Sequence, residues 1–502
     1  MISTKTVVVL GSAYGGARAA QLLAAGIPKE WRILLIDRNS HTNNAYILPR
    51  LSVLPGHEHK AFIPNTKVFM TDQPPELHRR LQAHITSFSQ KSLTLSQAFP
   101  EHGLPTQTVD FDFAIYALGS QLPAPLNLWG TDASGNPIPR KPSKGRQLPI
   151  YRGLKTEGIA WLQAHQKLIE ESPSVLVVGG GALGIQFATD IATVHPTKPV
   201  TLLHSRDRLL PRFDEGMHVG IIQALESISN VDVILGERLD LSSVDEKPGK
   251  TNERGQRIVR TVKGREIAAD LILLCTGQSP NTELLREMDP STVNPGDRLA
   301  HVLRTMQLGV LPPQDIPTTE KPSRPVGVVV QENQTAHEPV SPESTSELAS
   351  AVEKIALADA EASNDNGEGT SPSSNDDTQP EEVAVEEPLA KTPYPNIFVI
   401  GDAADAFGAI PAGHNAYYQA EIAARNVLHL IKRAEGVEGL EEPLERYQPG
   451  LPAIKVSLGL GKSIYQSRGQ IGHVSNVPDD LQAASLWPFF GIIITNDDQM
   501  YE

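Results

Sequence analysis

One cysteine, Cys275, stands in 502 residues. A single thiol excludes an internal disulfide framework and points to a reducing compartment, so a cytoplasmic protein is expected. Long hydrophobic runs are also missing. The first apolar run, Val7 to Leu10, has four residues and flows straight into a glycine cluster, so it reads as a strand and not a secretory signal. The longest run near the end, Leu486 to Ile494, is far short of the roughly 18 residues that cross a bilayer. It is expected to be a buried strand or an interface, with peripheral membrane contact, mitochondrial or other, as the lesser alternative. Ile2 follows Met1, which speaks against N-myristoylation.

Aromatic residues are scarce at 5%, and basic residues are outnumbered, with a net charge of −15. That charge is concentrated. Residues 331–390 hold 15 Asp or Glu against one Lys, so −14 of the −15 lies there and the rest of the chain is near neutral. A near-neutral body gives nucleic acid no electrostatic footprint. The acidic stretch is rich in Ser, Asn and Pro and cannot bury enough apolar surface to offset ordering entropy. Residues 312–391 are therefore expected to be a disordered insertion in a loop, more readily a tolerated surface feature than a regulatory element.

What is present begins at the N-terminus. Thr6 to Leu10 suits a parallel strand buried on both faces. Gly11-Ser12-Ala13-Tyr14-Gly15-Gly16 follows, then a helical pattern over 17–25 and a second apolar run, Ile33 to Ile36, ending in Asp37. Strand, glycine turn, helix, strand and a terminal acid form the dinucleotide-binding fingerprint. The turn brings backbone N–H groups and a positively polarised helix end to a pyrophosphate. Asp37 is placed to accept from both ribose hydroxyls. Ala13 stands where a second glycine normally lets the backbone approach the phosphates, a modest steric penalty.

The pattern recurs about 168 residues later. Ser174 to Val178 leads into Gly179-Gly-Gly181-Ala-Leu-Gly184, a helical stretch over 185–194, and the strand Val200 to Leu203 ending at His204. Two fingerprints argue for two dinucleotides. An acid at the strand tip repels a 2′-phosphate, whereas a neutral tip with a nearby Arg accommodates one. The second site is therefore expected to accept NADPH through Arg206, unless Arg206 and Arg208 are ordinary solvated loop residues. A third signal, Asn396 to Ile400 followed by Gly401-Asp402, places an acid at a strand end before a helical pattern over 415–433. Asp402 there suits the ribityl hydroxyls of FAD, with the helix N-terminus aimed at the flavin pyrimidine edge.

These motifs, with Ala117-Leu118-Gly119-Ser120, Leu274-Cys275-Thr276-Gly277 and Leu458-Gly-Leu-Gly461, resemble the pyridine-nucleotide disulfide oxidoreductase superfamily. More narrowly, the chain is similar to the apoptosis-inducing-factor-homologous, mitochondrion-associated flavoproteins, the ferroptosis suppressor type. The resemblance covers nearly everything but the acidic stretch. It implies an α/β fold of two Rossmann-like domains, for FAD and NAD(P)H, plus a small C-terminal α+β region. The implied division is an FAD domain over 1–145, 300–311 and 392–440, an NAD(P)H domain over 146–299 and a C-terminal interface region over 441–502.

The resemblance also carries site residues. Gly11 to Gly16 would cradle the FAD pyrophosphate. Arg50 sits where the family places an FAD-contacting arginine, Gln82 where a backbone contact to adenine is expected, and Ala117 with Gly119 where a loop closes on FAD. Thr276 and Gly277, in the family motif Leu274-Cys-Thr-Gly277, are expected to bind cofactor. Gln186 departs from the glutamate often found there. With no second cysteine, a relay through a redox disulfide is chemically impossible, so electrons should pass directly from flavin to a small acceptor, by resemblance a quinone. No catalytic acid or base is required. Two alternatives stay open, a reductase of an iron–sulfur carrier and a redox-sensing protein that acts through partners. Oligomeric state is left open. His41, His57 and His59 show no metal-ligand spacing.

Overall fold

The computed structural model describes residues 4–71, 77–123, 126–128, 148–245, 249–311, 392–437 and 442–501. The acidic stretch expected over 312–391 lies outside the described residues.

In chain order, the first unit opens with β1 (Lys5–Leu10), α1 (Tyr14–Gly26), β2 (Trp31–Asp37), the short helix α2 (Leu48–Leu51), β3 (His78–Gln82) and β4 (Phe113–Tyr116). The short strand β5 (Ser120–Gln121) leads out of it. The second unit follows, with α3 (Lys155–Glu171), β6 (Val175–Val178), α4 (Ala182–Val194), β7 (Val200–Leu203), β8 (Val231–Ile234) and β9 (Leu271–Leu274). Strand β10 (Ser279–Pro280) returns the chain, and β11 (Gln307–Leu308), β12 (Tyr394–Val399) and α5 (Gly413–Ala434) complete the first unit. The C-terminal region holds β13 (Ile454–Ser457), β14 (Gly461–Ser467) and β15 (Gln470–Val477).

The first sheet has the order β11-β12-β4-β1-β2-β3. Its members run parallel except β11, which is antiparallel to β12. Central β1 shows why the sequence reads as it does: Val7, Val8, Val9 and Leu10 are all at 0% exposure, because helices cover both faces of a parallel sheet. Each such side chain contributes about 1.5–3 kcal/mol of burial. The second sheet, β8-β7-β6-β9, is wholly parallel and repeats that logic. Both sheets set their glycine turns at strand carboxyl ends, where an open α/β sheet binds ligands.

The C-terminal region, which holds the antiparallel sheet β13-β14-β15, packs against both units. Val456, Leu458 and Ile464 join the core of the second, whereas Trp487 and Phe490 join that of the first. The run Leu486 to Ile494 is not a strand. Residues Ala483–Phe490 form a 3-10 helix that contains Pro488, which has no N–H to give a strand ladder. Leu486, Trp487 and Phe490 point inward while Ile493 is exposed.

Candidate cofactor sites

The first glycine turn is fixed by its own backbone. Gly11 has φ +96°, and a Cβ there would lie 2.4 Å from the Ala117 carbonyl oxygen. A Cβ on Gly16 would lie 1.9 Å from the Gly11 carbonyl oxygen. Any side chain would push strand, turn and helix apart. Gly15 is closed off by the Ala416 carbonyl oxygen at 2.8 Å, so α1 and α5 meet at this point.

A cavity of about 1120 Å³ runs from this turn. Gly11, Ser12, Ala13, Tyr14, Gly15 and Gly16 line it, as do Asp37, His84 and Ile85. Ala117, Gly119, Ser120 and Asp402 follow, with Gly413 to Ala416 at the start of α5. The N-termini of α1 and α5 carry no side-chain cap. Their orphan N–H groups are left for an anion or a carbonyl-rich ring edge. These features fit a long dinucleotide such as FAD.

Asp37 is more committed than its sequence suggests. Its Oδ2 accepts from Ser12 N–H at 2.7 Å and Ser12 Oγ at 2.8 Å, and Oδ1 accepts from Asn39 N–H at 2.7 Å. Ser12 Oγ in turn accepts from Asn65 Nδ2 at 2.6 Å, and Asn65 Oδ1 accepts from Thr42. A carboxylate offers about four acceptor positions, so Asp37 keeps roughly one for a ribose hydroxyl, and not the two first expected. Asp402 is lifted from the usual carboxylate range by burial and pulled back by Ser120, whose Oγ donates to its Oδ2 at 2.9 Å. Ser120 also contacts the Gln278 carboxamide. Its partner atom there is Gln278 Oε1, an acceptor like the Asp402 carboxylate, so the two compete for the single Ser120 hydroxyl proton.

Two expected contacts are corrected. Arg50 does not line the cavity. Its side chain is fully buried, Nη2 lies 2.9 Å from Asp190 Oδ1, and its guanidinium donates to the carbonyls of Asp479 and Gly459. A buried guanidinium needs a counter-charge, and α4 supplies it. Gln82 is likewise turned away, its carbonyl accepting from Gln97 Nε2 at 2.9 Å and its own amide reaching the Arg38 and Gly153 carbonyls. Ala83, His84 and Ile85 line the cavity instead, because β3 ends at Gln82 and the chain bends there.

The second turn repeats the first. Gly179 has φ +124° and its Cβ would lie 2.2 Å from the Cys275 carbonyl oxygen, while that of Gly184 would lie 1.8 Å from the Gly179 carbonyl oxygen. Gly181, at the uncapped N-terminus of α4, faces open space. Thr276 and Gly277 are exposed beside it, and so is Arg206. Arg208 is tied to the Pro211 and Phe213 carbonyls at 3.2 Å. Gln186, one turn into α4, lines the FAD cavity and donates to Ser457 Oγ at 3.2 Å. This turn fits a second dinucleotide.

The histidines singled out in sequence are occupied elsewhere. His41 Nε2 lies 2.9 Å from Tyr151 Oη, and His59 stacks on Tyr501 with ring centroids 3.7 Å apart. Among the described residues no group of three or more His, Cys, Asp or Glu could hold a metal ion. None of the described helices is long and apolar enough to cross a membrane.

Sequence reasoning missed Ser120, Asn65 and Gln278, which sit outside any fingerprint. Only the polar Ser120 directly after Ala117-Leu-Gly119 offered a signal.

The model of the pyridine nucleotide-disulphide oxidoreductase family matches residues 5–301. The chain belongs to that family. Fe-regulated protein 8 of Mycosarcoma maydis is 35% identical over 496 residues, 97% of this chain and 95% of that one. Ferroptosis suppressor protein 1 of Homo sapiens is 27% identical over 289 residues, 56% of this chain and 65% of that one, so the match spans under two thirds of the human protein. Among solved structures, an engineered water-forming NADPH oxidase bound to NADPH shares the fold, with TM-score 0.51 and 15% identity over 92% of this chain and 74% of that one. The ferredoxin reductase of the CYP199A2 system from Rhodopseudomonas palustris shares it as well, with TM-score 0.52 and 14% identity over 92% and 81%. The protein is an FAD- and NAD(P)H-dependent oxidoreductase.

Proposed function

We propose that the chain is an NAD(P)H:quinone-type oxidoreductase that delivers electrons to its acceptor without a redox-active disulfide. The observation that carries this is the lining of the cavity around α2. Ile47, Leu48, Pro49, Leu126, Trp161 and Phe187 face it, and no lining residue is a cysteine. Cys275 instead packs in the core of the second unit, where burial pushes its thiol well above the ordinary range. A buried neutral thiol is a poor nucleophile, and an apolar wall suits a flat, weakly polar acceptor.

FAD, when bound, supplies the hydride and electron chemistry. The protein's own part is positioning. Gly11, Ser12, Ala13, Tyr14, Gly15 and Gly16, with Asp37, Ala117, Gly119 and Asp402, hold the flavin nucleotide in this reading. Gly179, Gly181, Gly184, Arg206, Thr276 and Gly277 hold NAD(P)H. The FAD-binding part then comprises 1–145, 300–311 and 392–440, the NAD(P)H-binding part 146–299, and the acceptor-side region 441–502. We place the protein in the cytoplasm, with peripheral membrane contact where its quinone is lipid-borne.

The test is anaerobic reoxidation of the reduced holoenzyme by a short-chain benzoquinone and, separately, by a ferredoxin. Quinone should reoxidise it rapidly, and Cys275→Ser should keep that rate within about twofold, as expected for a group outside the path. Reoxidation by ferredoxin alone would overturn the quinone reading. A Cys275→Ser variant that folds with FAD yet no longer reduces quinone would overturn direct transfer.

A further inference from the structure

The two glycine turns share a geometry down to the strand tip, and they differ in one charge. In the first, the Ser12 N–H donates to Asp37 Oδ2 at 2.7 Å. In the second, the residue at the same point of the turn, Gly180, donates its N–H to His204 Nδ1 at 3.0 Å. The match extends to the flanking glycines, whose Cβ atoms would meet equivalent carbonyls at 2.4 and 2.2 Å for Gly11 and Gly179, and at 1.9 and 1.8 Å for Gly16 and Gly184. The imidazole of His204 therefore stands where a nucleotide-binding acid stands in the first site, and it holds the turn by the same bond.

We propose that His204 is a specificity-determining residue that turns the second site toward 2′-phosphorylated nicotinamide nucleotides, NADPH over NADH. This rests on the reading of the second turn as the nicotinamide-nucleotide site. To accept an amide proton, Nδ1 must carry none, so the ring is neutral with its proton on Nε2. Burial favours that neutral form, a hydrogen bond to the Arg208 backbone opposes it, and the Arg206 charge adds to the lowering, which prevails. The position thus offers an acceptor to the turn without a negative charge toward the ribose 2′ position. An aspartate there would make the same bond to Gly180 and repel a phosphate dianion.

The surrounding charges agree. Arg206 lies two residues beyond the tip and is exposed, and Arg208 is anchored on carbonyls in the same loop. Of the acids nearby, Asp207 is turned toward Gly236, whose Cβ would lie 2.5 Å from its Oδ1. Glu237 is engaged by Arg265 at 2.8 Å and Thr261 at 2.7 Å. Among the described residues no carboxylate accepts the Gly180 N–H as Asp37 accepts that of Ser12.

The experiment measures dissociation constants of oxidised NADP⁺ and NAD⁺ for the FAD-loaded protein by calorimetry, so that no turnover is needed. NADP⁺ should bind more tightly by about tenfold or more, the contribution of one charge-assisted hydrogen bond. Two variants separate charge from shape. His204→Asn keeps a neutral acceptor for the Gly180 N–H and should keep the preference. His204→Asp adds only a charge and should weaken NADP⁺ by at least about tenfold while NAD⁺ changes little. Equal NADP⁺:NAD⁺ ratios in these two variants, or a wild-type protein that prefers NAD⁺, would overturn the role of His204. Failure of both nucleotides to bind the wild type would overturn the site assignment itself, and the inference with it.

Discussion

Arg50 Nη2 and Asp190 Oδ1 lie 2.9 Å apart with both side chains wholly excluded from solvent, joining α2 of the first unit to α4 of the second. Burial drives the Asp190 carboxyl upward, and the Arg50 charge and hydrogen bond oppose it. The pair sits one turn beyond Gln186, which lines the FAD cavity. Removing Arg50 would strand a buried carboxylate. Arg50→Met is expected to cost about 3–5 kcal/mol of stability, and the double variant Arg50→Met with Asp190→Leu to recover much of it. Denaturant unfolding of the FAD-loaded proteins checks this. An Arg50→Met protein as stable as wild type but unable to bind FAD would restore the flavin contact that the structure withdraws.

Gly181 and Gly184 should respond differently to the same methyl group. A Cβ on Gly184 meets the Gly179 carbonyl oxygen at 1.8 Å, whereas one on Gly181 meets nothing. Gly184→Ala is expected to disrupt the second unit. Gly181→Ala should leave the melting temperature unchanged and weaken nucleotide binding several-fold, since the space it fills is the space a pyrophosphate needs. Thermal unfolding and nucleotide titration together decide the case.

The described residues that flank 312–391 meet in space. Leu308 of β11 pairs with Tyr394 of β12, and Thr392 Oγ1 donates to the Leu308 carbonyl. Replacing 312–391 by a short Gly/Ser linker should therefore keep FAD content and the rate of flavin reduction within about twofold, since loop length costs little closure entropy. Loss of a bound partner alongside intact flavin reduction would favour the redox-sensing alternative over the enzyme reading.

Acid should weaken the fold through His165. The ring is completely buried, its Nδ1 bonded to the Ser52 carbonyl at 3.1 Å, and burial pushes its pKa down to about 4 from 6.5. The unfolded chain binds this proton at a higher pH than the folded one. Stability from this group is complete above about pH 6.5 and is lost as the pH falls toward about 4, by roughly 3 kcal/mol in all. Unfolding midpoints between pH 7 and 4.5 should fall less steeply in His165→Gln than in wild type.

Much of the site was legible because dinucleotide turns are local: six consecutive residues, Gly11 to Gly16, dictate the loop, and steric contact with Ala117 explains the glycine. Asp402 was legible for the same reason, at a strand end. The rest depends on partners distant in sequence. Nothing local tells that Arg50 pairs with Asp190, 140 residues away, or that Asp37 is already taken by Ser12 and Asn39. The run Leu486 to Ile494 misled for another reason. Its hydrophobicity announced burial, but Pro488 and packing against the first core decided a 3-10 helix.

The central claim is a chain that takes hydride from a nicotinamide nucleotide onto bound FAD and yields electrons to a quinone. Anaerobic titration of the purified holoprotein with NADPH and then NADH, followed near ~450 nm where oxidised flavin absorbs, tests it most directly. Rapid bleaching, NADPH acting at the lower concentration, and recovery of the absorbance on adding quinone is the predicted result. A protein that takes up no FAD, or a yellow one that neither nucleotide bleaches, would contradict it.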